Sequence, residues 1–448
     1  MRFLERQATV AAAGFSRWMV PPAAIAVHMC IGQVYGFSVF NLPLTRLLGV
    51  TRSVSGTDWD MTQVMWIYSI ALFILGISAA VFGKWVERSG PRKAMLASAA
   101  CFCGGLLVSA FGVHRHQLWI VYLGYGVLGG VGLGLGYIAP VSTLMKWFPD
   151  RPGMATGMAI MGFGGGALIG APLGVHLMER FRTPTSTGVA LTLVTMACLY
   201  GVSMLFGAWI VRVPPEGWRP AGWTPAPGGQ SEAMNLRVTA DEAIRTPQFW
   251  LLWVVLCMNV SAGIGILGQA SPMVQDLFGV SAAIGGGFAG LLSLSNLAGR
   301  FLWSSVSDVL GRPTVYTIYF LLGAVLYCLI PQTQRWGSQT LFVVVTVAII
   351  SMYGGGFATI PAYLRDLFGT HQVGAIHGRL ITAWSVAALV GPTTITYLST
   401  SAKARGVPPA EAYTGTLYLM AALLGIGFVA NALVARSLSR SRSAQRVQ

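Results

Sequence analysis

Charged residues are scarce in this chain of 448 residues, since Asp, Glu, Lys and Arg together make up only 10% of it. Soluble domains carry about 25% charged residues. Hydrophobic residues reach 54%, and the mean hydropathy is +0.64. This composition excludes an ordinary soluble globular protein and predicts an all-α membrane protein with many spans. The 56 glycines fit that class, because small residues let membrane helices approach closely.

Acidic residues are the scarcer sign of charge, with 14 Asp and Glu against 29 Lys and Arg, a net charge of +15. An excess of this size can indicate a nucleic-acid partner. The chain, however, has no sizeable polar stretch that would form a soluble domain with a basic face. We therefore expect no nucleic-acid partner and look for the origin of the excess in membrane topology.

Cysteine and histidine are also few, with six of each. The cysteines fall in apolar runs, and none has a metal-ligand spacing with histidines, so we expect no disulfides and no metal site. The chain has no nucleophile elbow, no Walker loop and no metal-binding helix motif. These absences predict no catalytic residues, no cofactor and no enzyme activity.

Twelve apolar runs are long enough to span a bilayer. They cover residues 20–44, 61–83, 94–113, 118–143, 153–177, 188–211, 249–270, 282–304, 314–330, 340–363, 374–398 and 415–434. A Pro-, Gly- and Trp-rich stretch divides the chain into a six-helix half at 1–212, a cytoplasmic linker at 213–247, and a six-helix half with a short basic tail at 248–448. Twenty of the 29 Lys and Arg fall on the side of the N-terminus, which predicts that both termini are cytoplasmic.

The two halves repeat with an offset of 221 residues. Pairs that keep this offset are Glu87 and Asp308, Gly90 and Gly311, Pro140 and Pro361, Gly153 and Gly374, Gly157 and Gly378, and Gly170 and Gly391. A parallel duplication of six spans is the architecture of the major facilitator superfamily, which this chain resembles over its whole length. The resemblance implies twelve helices in two repeats and transport by alternating access, in which one half rocks against the other.

The loop after the second span resembles the superfamily's loop motif. It contains Gly83, Glu87, Gly90 and Arg92, and the second half repeats it in part at Asp308, Gly311 and Arg312. Glycine lets helices approach, the carboxylate can cap a neighbouring helix N-terminus, and the arginines can pair with acids. We interpret the motif as a gating latch, with a solvated basic loop as the alternative.

A second resemblance is narrower. The run at 147–157, WFPDRPGMATG, the glycine-rich stretch at 161–167 and the run at 35–40, YGFSVF, are similar to the oxalate/formate antiporter family. The resemblance implies a secondary transporter of small organic carboxylates, multi-pass in a cell inner membrane. We expect a monomer whose partners are its substrate and the lipid bilayer.

Arg300 lies inside the eighth span, where no other span has a charge at comparable depth. A guanidinium at the bilayer centre costs about 2.5–3.5 kcal/mol on insertion scales, so it normally faces a cavity and a partner. Asn296 is four residues earlier, on the same helical face. The family resemblance makes Arg300 the substrate's charge anchor, with Asn296 in the position where monocarboxylate transporters carry an acid. The alternative is an arginine that snorkels to the membrane interface.

The eleventh span reads Thr382-Ala383-Trp384, where oxalate transporters of the family carry a lysine in place of the tryptophan. With one cation missing, a dianion would be under-compensated, so the resemblance favours a monocarboxylate. Trp384 would supply an apolar wall. Other candidates for the pocket, each with ordinary helix packing as its alternative, are Gln33, Tyr35, Gln63, Tyr353 and Phe357.

Two rival functions remain open. A proton-coupled monocarboxylate symporter would need a titratable group, but all 14 acids lie outside the predicted spans or at their ends. His28, on an apolar helix, is interpreted as a packing residue that could titrate, and His377 is placed at a span end. A non-transporting receptor or scaffold is disfavoured, since no sizeable soluble domain is present.

Overall fold

The computed structural model describes residues 4–224, 236–408 and 411–445, and the extended structure in this part of the chain is limited to two isolated bridges, Val10 with Val213 and Thr183 with Ser186. The remaining regular structure is helical, which confirms the all-α prediction. Residues 225–235 of the predicted linker and residues 446–448 of the basic tail lie outside the described residues.

Helices of the first half of the chain begin with α1 (Val20–Ile31), a 3₁₀ stretch (Gly32–Gly36) and α2 (Ser38–Leu44). They continue with α3 (Met61–Ser89), α4 (Pro91–His114), α5 (Leu118–Val121), a π-helical stretch (Tyr122–Gly129), α6 (Gly130–Trp147), α7 (Pro152–Phe181) and α8 (Val189–Ile210).

Helices of the second half follow a short turn of helix in the linker, α9 (Ala240–Ala243). They are α10 (Pro247–Phe278), α11 (Ala282–Leu310), α12 (Arg312–Arg335), α13 (Gln339–Phe368), α14 (Val373–Leu380), α15 (Thr382–Ala404) and α16 (Thr414–Gln445). Each of the twelve predicted spans corresponds to one of these helices or to two consecutive ones.

Ten of the described helices are long and apolar enough to cross a membrane, and an eleventh span results if the bent pair at 17–44 is counted as one. The remaining predicted span is α11, which has 29 residues but carries Asn296, Arg300 and several serines in its central turns. These polar residues lower the hydropathy of α11 below that of the other spans. They are also the residues that the sequence singles out as functional.

The first predicted span is not one straight helix. The helical stretch Arg17–Gly36 meets α2 at an angle of 48°. Two glycines bring the backbone against α7 at this point: a Cβ on Gly32 would collide with the carbonyl of Phe163, and one on Gly36 would lie 3.1 Å from the Ala171 Cβ. Close approach of this kind is what glycine permits in membrane helices.

The described chain packs as two compact units. The first unit consists of Met1–Pro149, Gly162–Ala221 and His377–Ser385, and the second of Asp150–Met161, Gly222–Ile376 and Val386–Gln448. Two short segments are therefore packed with helices of the other repeat. These segments are Asp150–Met161, in the second unit, and His377–Ser385, in the first.

Helix pairing within the units follows the internal repeat. In the first unit α3 packs against α6, α4 against α8, and α1 against α8. In the second unit the corresponding pairs, α11 with α13, α12 with α16 and α10 with α16, are also in contact. The offset of 221 residues is thus a structural duplication as well as a sequence one.

Candidate functional site

Arg300 lies in the middle of the second unit and is fully buried. Its Nε donates a 3.2 Å hydrogen bond to Asn296 Oδ1, one turn earlier in α11. Its Nη1 donates a 3.2 Å hydrogen bond to the carbonyl oxygen of Ile160. The guanidinium carbon also lies 5.4 Å from the centre of the Phe357 ring, in α13. A guanidinium held in this way does not snorkel, because neutral oxygens and an aromatic face replace the water it has lost.

Tyr353 belongs to the same unit but contacts the arginine cluster through Phe357. The two rings are 6.1 Å apart and nearly perpendicular. Tyr353 also lines a small cavity together with Asn259, Gly263 and Tyr327. Four predicted residues, Arg300, Asn296, Phe357 and Tyr353, are therefore brought together on α11 and α13.

The Asp150–Met161 segment closes this cluster on one side. Ile160 supplies the carbonyl that Arg300 binds, and a Cβ on Gly157 would collide with the Ser304 hydroxyl and lie 2.9 Å from the Arg300 carbonyl oxygen. One turn earlier, the N–H groups of Gly153 and Met154 each donate a 2.8 Å hydrogen bond to the Asp308 carboxylate. Asp308 thus caps the N-terminus of α7, the role that the loop motif predicts for an acid.

The rest of the loop motif in the second repeat supports that cap. Arg312 forms ion pairs with Asp308, at 2.6 Å, and with Asp366, at 3.3 Å, and it donates a hydrogen bond to Ser307. Gly311 joins α11 to α12 with φ of 84°, a conformation that glycine adopts without strain. The motif is therefore a packed ion-pair network in this repeat.

The motif residues of the first repeat have different partners. Glu87 forms a 2.8 Å ion pair with Lys146, and Gly90 joins α3 to α4 with φ of 85°. The buried Arg92 donates to the carbonyl oxygens of Ala208 and Val211, at the end of α8. A cation at a helix C-terminus is favourable. Gly83 is buried in the last turns of α3.

Trp384 and Tyr35 lie in the first unit, in a cluster of four rings that we call the aromatic cluster: Tyr35, Tyr137, Phe163 and Trp384. The centre of the Trp384 ring is 6.1 Å from Tyr35, 5.9 Å from Tyr137 and 5.5 Å from Phe163. Trp384 is on the His377–Ser385 segment, so this segment contributes to the first unit much as Asp150–Met161 contributes to the second.

The two predicted glutamines have different environments. Gln33 is fully buried at the 3₁₀ stretch, and its Oε1 accepts a 3.1 Å hydrogen bond from Tyr125. Gln63 is exposed in the first turn of α3, where its Oε1 accepts a hydrogen bond from the Asp60 N–H and completes a capping box. The placement of Gln63 in a polar cavity is therefore corrected: it caps a helix end.

Several residues at these clusters escaped the sequence analysis. Tyr137 and Phe163 read as ordinary apolar helix positions, and Ile160 acts through its backbone, which no side-chain pattern can indicate. His377 was placed at a span end but lies in α14 with 1% of its surface exposed. The glycines Gly374 and Gly378 on either side of it were the available signal, because they predict a segment that packs closely.

Comparison with known proteins agrees with this architecture. The model of the Major Facilitator Superfamily matches residues 8–392 and 261–447. An uncharacterized MFS-type transporter of Escherichia coli K12, YhjX, is 25% identical over 381 residues, which are 84% of this chain and 86% of that protein. The oxalate:formate antiporter of Oxalobacter formigenes is 25% identical over 384 residues, 84% of this chain and 83% of that protein.

A solved structure of the proton:xylose symporter XylE shares the fold. It superimposes with a TM-score of 0.69 at 13% identity, covering 94% of this chain and 96% of that one. The family match extends over most of the chain, and both the helical architecture and the duplicated helix pairing fit it. The chain therefore belongs to the Major Facilitator Superfamily and is a multi-pass membrane transporter, not an enzyme.

Proposed function

We propose that this chain is a secondary active transporter of small organic carboxylates, similar to the oxalate/formate antiporter and working by alternating access. The observation that carries the proposal is the buried Arg300, held on one helical face by Asn296 and against the ring of Phe357. A planar guanidinium with fixed orientation suits a carboxylate, which can accept two parallel hydrogen bonds from it.

The carbonyl of Ile160 suggests how the substrate would be admitted. This oxygen accepts a hydrogen bond from Arg300 Nη1 and belongs to the Asp150–Met161 segment, which the sequence joins to the first repeat. When one repeat rocks against the other, this segment would leave α11, and the donor would need another acceptor. A substrate carboxylate oxygen would then occupy the place that the Ile160 carbonyl holds in this conformation.

Trp384 bears on which carboxylates are favoured. Its position holds a lysine in the oxalate transporters that the chain resembles, and here it holds an indole packed among Tyr35, Tyr137 and Phe163. One cation matches one carboxylate. We therefore infer a preference for monocarboxylates, including those with an apolar body, over oxalate. The 25% identity with the oxalate:formate antiporter supports the substrate class rather than a single substrate.

The membrane and the orientation belong to the same proposal. We place the protein in a cell inner membrane, as a monomer with both termini in the cytoplasm, because Lys and Arg are concentrated on the side of the N-terminus. Labelling of single cysteines introduced at Arg115 and at Glu216 tests this orientation. An impermeant maleimide added outside intact cells should modify the first and spare the second.

Counterflow in proteoliposomes tests the transport proposal. Liposomes preloaded with one unlabelled carboxylate are diluted into labelled formate, pyruvate, lactate or oxalate, and label uptake is measured for the wild type, Arg300→Gln and Arg300→Lys. We expect wild-type uptake of at least one monocarboxylate, loss of about a hundredfold in Arg300→Gln, and a smaller loss in Arg300→Lys, which keeps the charge but not the fork.

The matched control is Arg335→Gln, which removes an exposed arginine at the end of α12. It should transport like the wild type. Uptake retained in Arg300→Gln would remove Arg300 from the substrate site. A purified wild-type protein that binds a labelled carboxylate but never exchanges it would favour the receptor or scaffold.

A further inference from the structure

His377 is a buried polar side chain that the functions discussed above do not use. Only 1% of its surface is exposed, and neither Nδ1 nor Nε2 has a hydrogen-bond partner in the described part of the chain. A neutral imidazole carries one donor and one acceptor, and both normally find partners when they are buried. An exception of this kind calls for a functional explanation.

The groups that face His377 come from three helices. From α6, the Tyr137 ring lies 5.7 Å from the imidazole. From α1, His28 stacks on the same Tyr137 ring at 5.5 Å, and it interacts electrostatically with His377. From α3, the carbonyl of Ala79 lies against Gly378, and on its own helix His377 is followed two residues later by the half-buried Arg379. The titratable groups at this position are thus two imidazoles, one phenol and one guanidinium.

The segment that carries His377 is built to pack and to separate. It follows α13 in the second repeat, but His377–Ser385 packs with helices of the first unit. Gly378 brings its backbone against Ala79, and the Ser385 hydroxyl donates to the carbonyl oxygens of Leu72 and Phe73 at 3.3 and 3.2 Å. Alternating access moves one repeat against the other, so it must withdraw this segment from α3 and α6 and expose the imidazole to water.

We propose that His377 is the proton-binding group that couples carboxylate transport to the proton gradient, an inference that rests on the transport proposed above. A ring nitrogen takes up a proton when the segment is withdrawn and wet. The proton leaves before the imidazole packs again on Tyr137, because a second positive charge beside Arg379 and His28, enclosed by aromatic rings, would be buried without an acceptor. One proton and one monocarboxylate then move together without net charge.

The sequence makes histidine the natural carrier in this chain. The predicted spans contain no Asp or Glu away from their ends, and histidine is the side chain whose charge changes near neutral pH. His28 has a different position in the arrangement. Its Nε2 lies 3.1 Å from the carbonyl oxygen of Tyr137, so it already has a backbone partner in the packed state. We assign His28 to positioning the Tyr137 ring and His377 to binding the proton.

The test compares two assays on the same proteoliposomes. Counterflow of labelled lactate at equal pH on both sides moves no net proton. Uptake of labelled lactate driven by a gradient of about one pH unit, acid outside, does, and luminal pyranine reports the accompanying protons. We measure both for the wild type, His377→Gln, His377→Asn and His28→Gln, and use the ratio of gradient-driven uptake to counterflow, which is independent of the amount of folded protein.

We expect both His377 variants to lower this ratio by about tenfold or more and to abolish the pyranine signal, while His28→Gln lowers it less. The matched control is His176→Gln, at an exposed position of α7, which should leave the ratio unchanged. An unchanged ratio in the His377 variants, or a wild type that exchanges lactate without responding to the pH gradient, would overturn the proton-binding role. Absence of wild-type counterflow across the whole carboxylate panel would instead reject the transport proposal.

Discussion

The backbone N–H of Gly153 donates a 2.8 Å hydrogen bond to Asp308 Oδ1, which joins the first turn of α7 to the end of α11. Met154 donates to the other carboxylate oxygen at the same distance. The first N–H groups of a helix lack intrahelical acceptors and carry a partial positive charge, so a carboxylate is their most favourable partner. Asp308 is therefore a specific cap on a segment of the other repeat.

Replacing this carboxylate should weaken the packing of the Asp150–Met161 segment. Asp308→Asn keeps the size of the side chain but removes its charge and turns one acceptor towards a helix N–H as a donor. Hydrogen bonds to a charged group contribute about 1.5–3 kcal/mol. We expect a loss of about 1–2 kcal/mol of stability, after allowance for the partly exposed site and the remaining amide oxygen. Thermal unfolding of the purified protein in detergent measures this loss.

Glu179→Gln provides the control for this variant, because Glu179 is an exposed acid near the other end of the same helix. It should unfold like the wild type. Equal unfolding temperatures for Asp308→Asn and Glu179→Gln would contradict the capping role and favour the solvated-loop interpretation of the motif.

Two glycines related by the repeat should be equally intolerant of a side chain. A Cβ on Gly157 would collide with Ser304, and one on Gly378 would collide with the backbone carbonyl of Ala79. Ala79 and Arg300 are themselves related by the offset of 221 residues, and the Arg300 carbonyl lies against Gly157. Backbone cannot give way as a flexible side chain can. We therefore expect Gly157→Ala and Gly378→Ala each to destabilise the packed conformation by about 1–3 kcal/mol.

Gly425→Ala is the matched control, since Gly425 is an exposed helical glycine with no heavy atom within 4 Å of an added Cβ. Alanine at such a position should be neutral or stabilising by about 0.5–1 kcal/mol. Thermal unfolding and counterflow measured on all three variants separate the two cases. Normal behaviour of Gly378→Ala would show that His377–Ser385 does not pack as closely as described.

Much of this arrangement was open to prediction. Apolar runs are long enough to identify membrane helices without any packing information, and all twelve predicted spans match helices. The acid of the loop motif, Asp308, caps a helix as its chemistry suggested. Arg300 and Asn296 share a face because four residues make about one helical turn.

What escaped prediction depends on contacts between distant parts of the chain. The carbonyl of Ile160 has no side-chain signature, and the aromatic cluster joins residues as far apart as Tyr35 and Trp384. Gln63 was misjudged because a glutamine near a span end can either line a cavity or cap the helix, and Asp60, three residues earlier, favours the cap. His377 was misjudged because the predicted end of a span is uncertain by several residues.

The tryptophan of the eleventh span offers a test of substrate charge. Trp384→Lys restores the cation that oxalate transporters of this type carry, and we expect the counterflow ratio of oxalate to formate to rise by about tenfold, since a second cation compensates a second carboxylate. Trp119→Lys, which adds the same charge at an exposed position, should leave the ratio unchanged. No change in Trp384→Lys would mean that this side chain does not face the substrate.

Asp58 predicts an acid-sensitive loop between α2 and α3. Burial raises the pKa of this carboxyl, but hydrogen bonds from the N–H groups of Leu48, Val54 and Gly49 outweigh burial and hold the pKa below its usual range. The folded loop therefore binds the proton more weakly than the unfolded one. Its stabilisation is complete above the unfolded value of about 3.9 and is lost as the pH falls through the lower, folded value.

Hydrogen exchange of the loop measures this dependence directly. Protection of the Leu48 and Val54 amides, corrected for the intrinsic effect of pH on exchange, should be constant from about pH 7 to pH 5 and should fall as the pH drops below about 4. Asp58→Asn should reduce protection at neutral pH and remove the dependence, because an amide does not titrate. Asp60→Asn, a change two residues away that retains the capping bond from the Asp60 N–H to Gln63, should keep the wild-type profile. A wild-type profile that is flat to the lowest pH would show that Asp58 does not hold the loop.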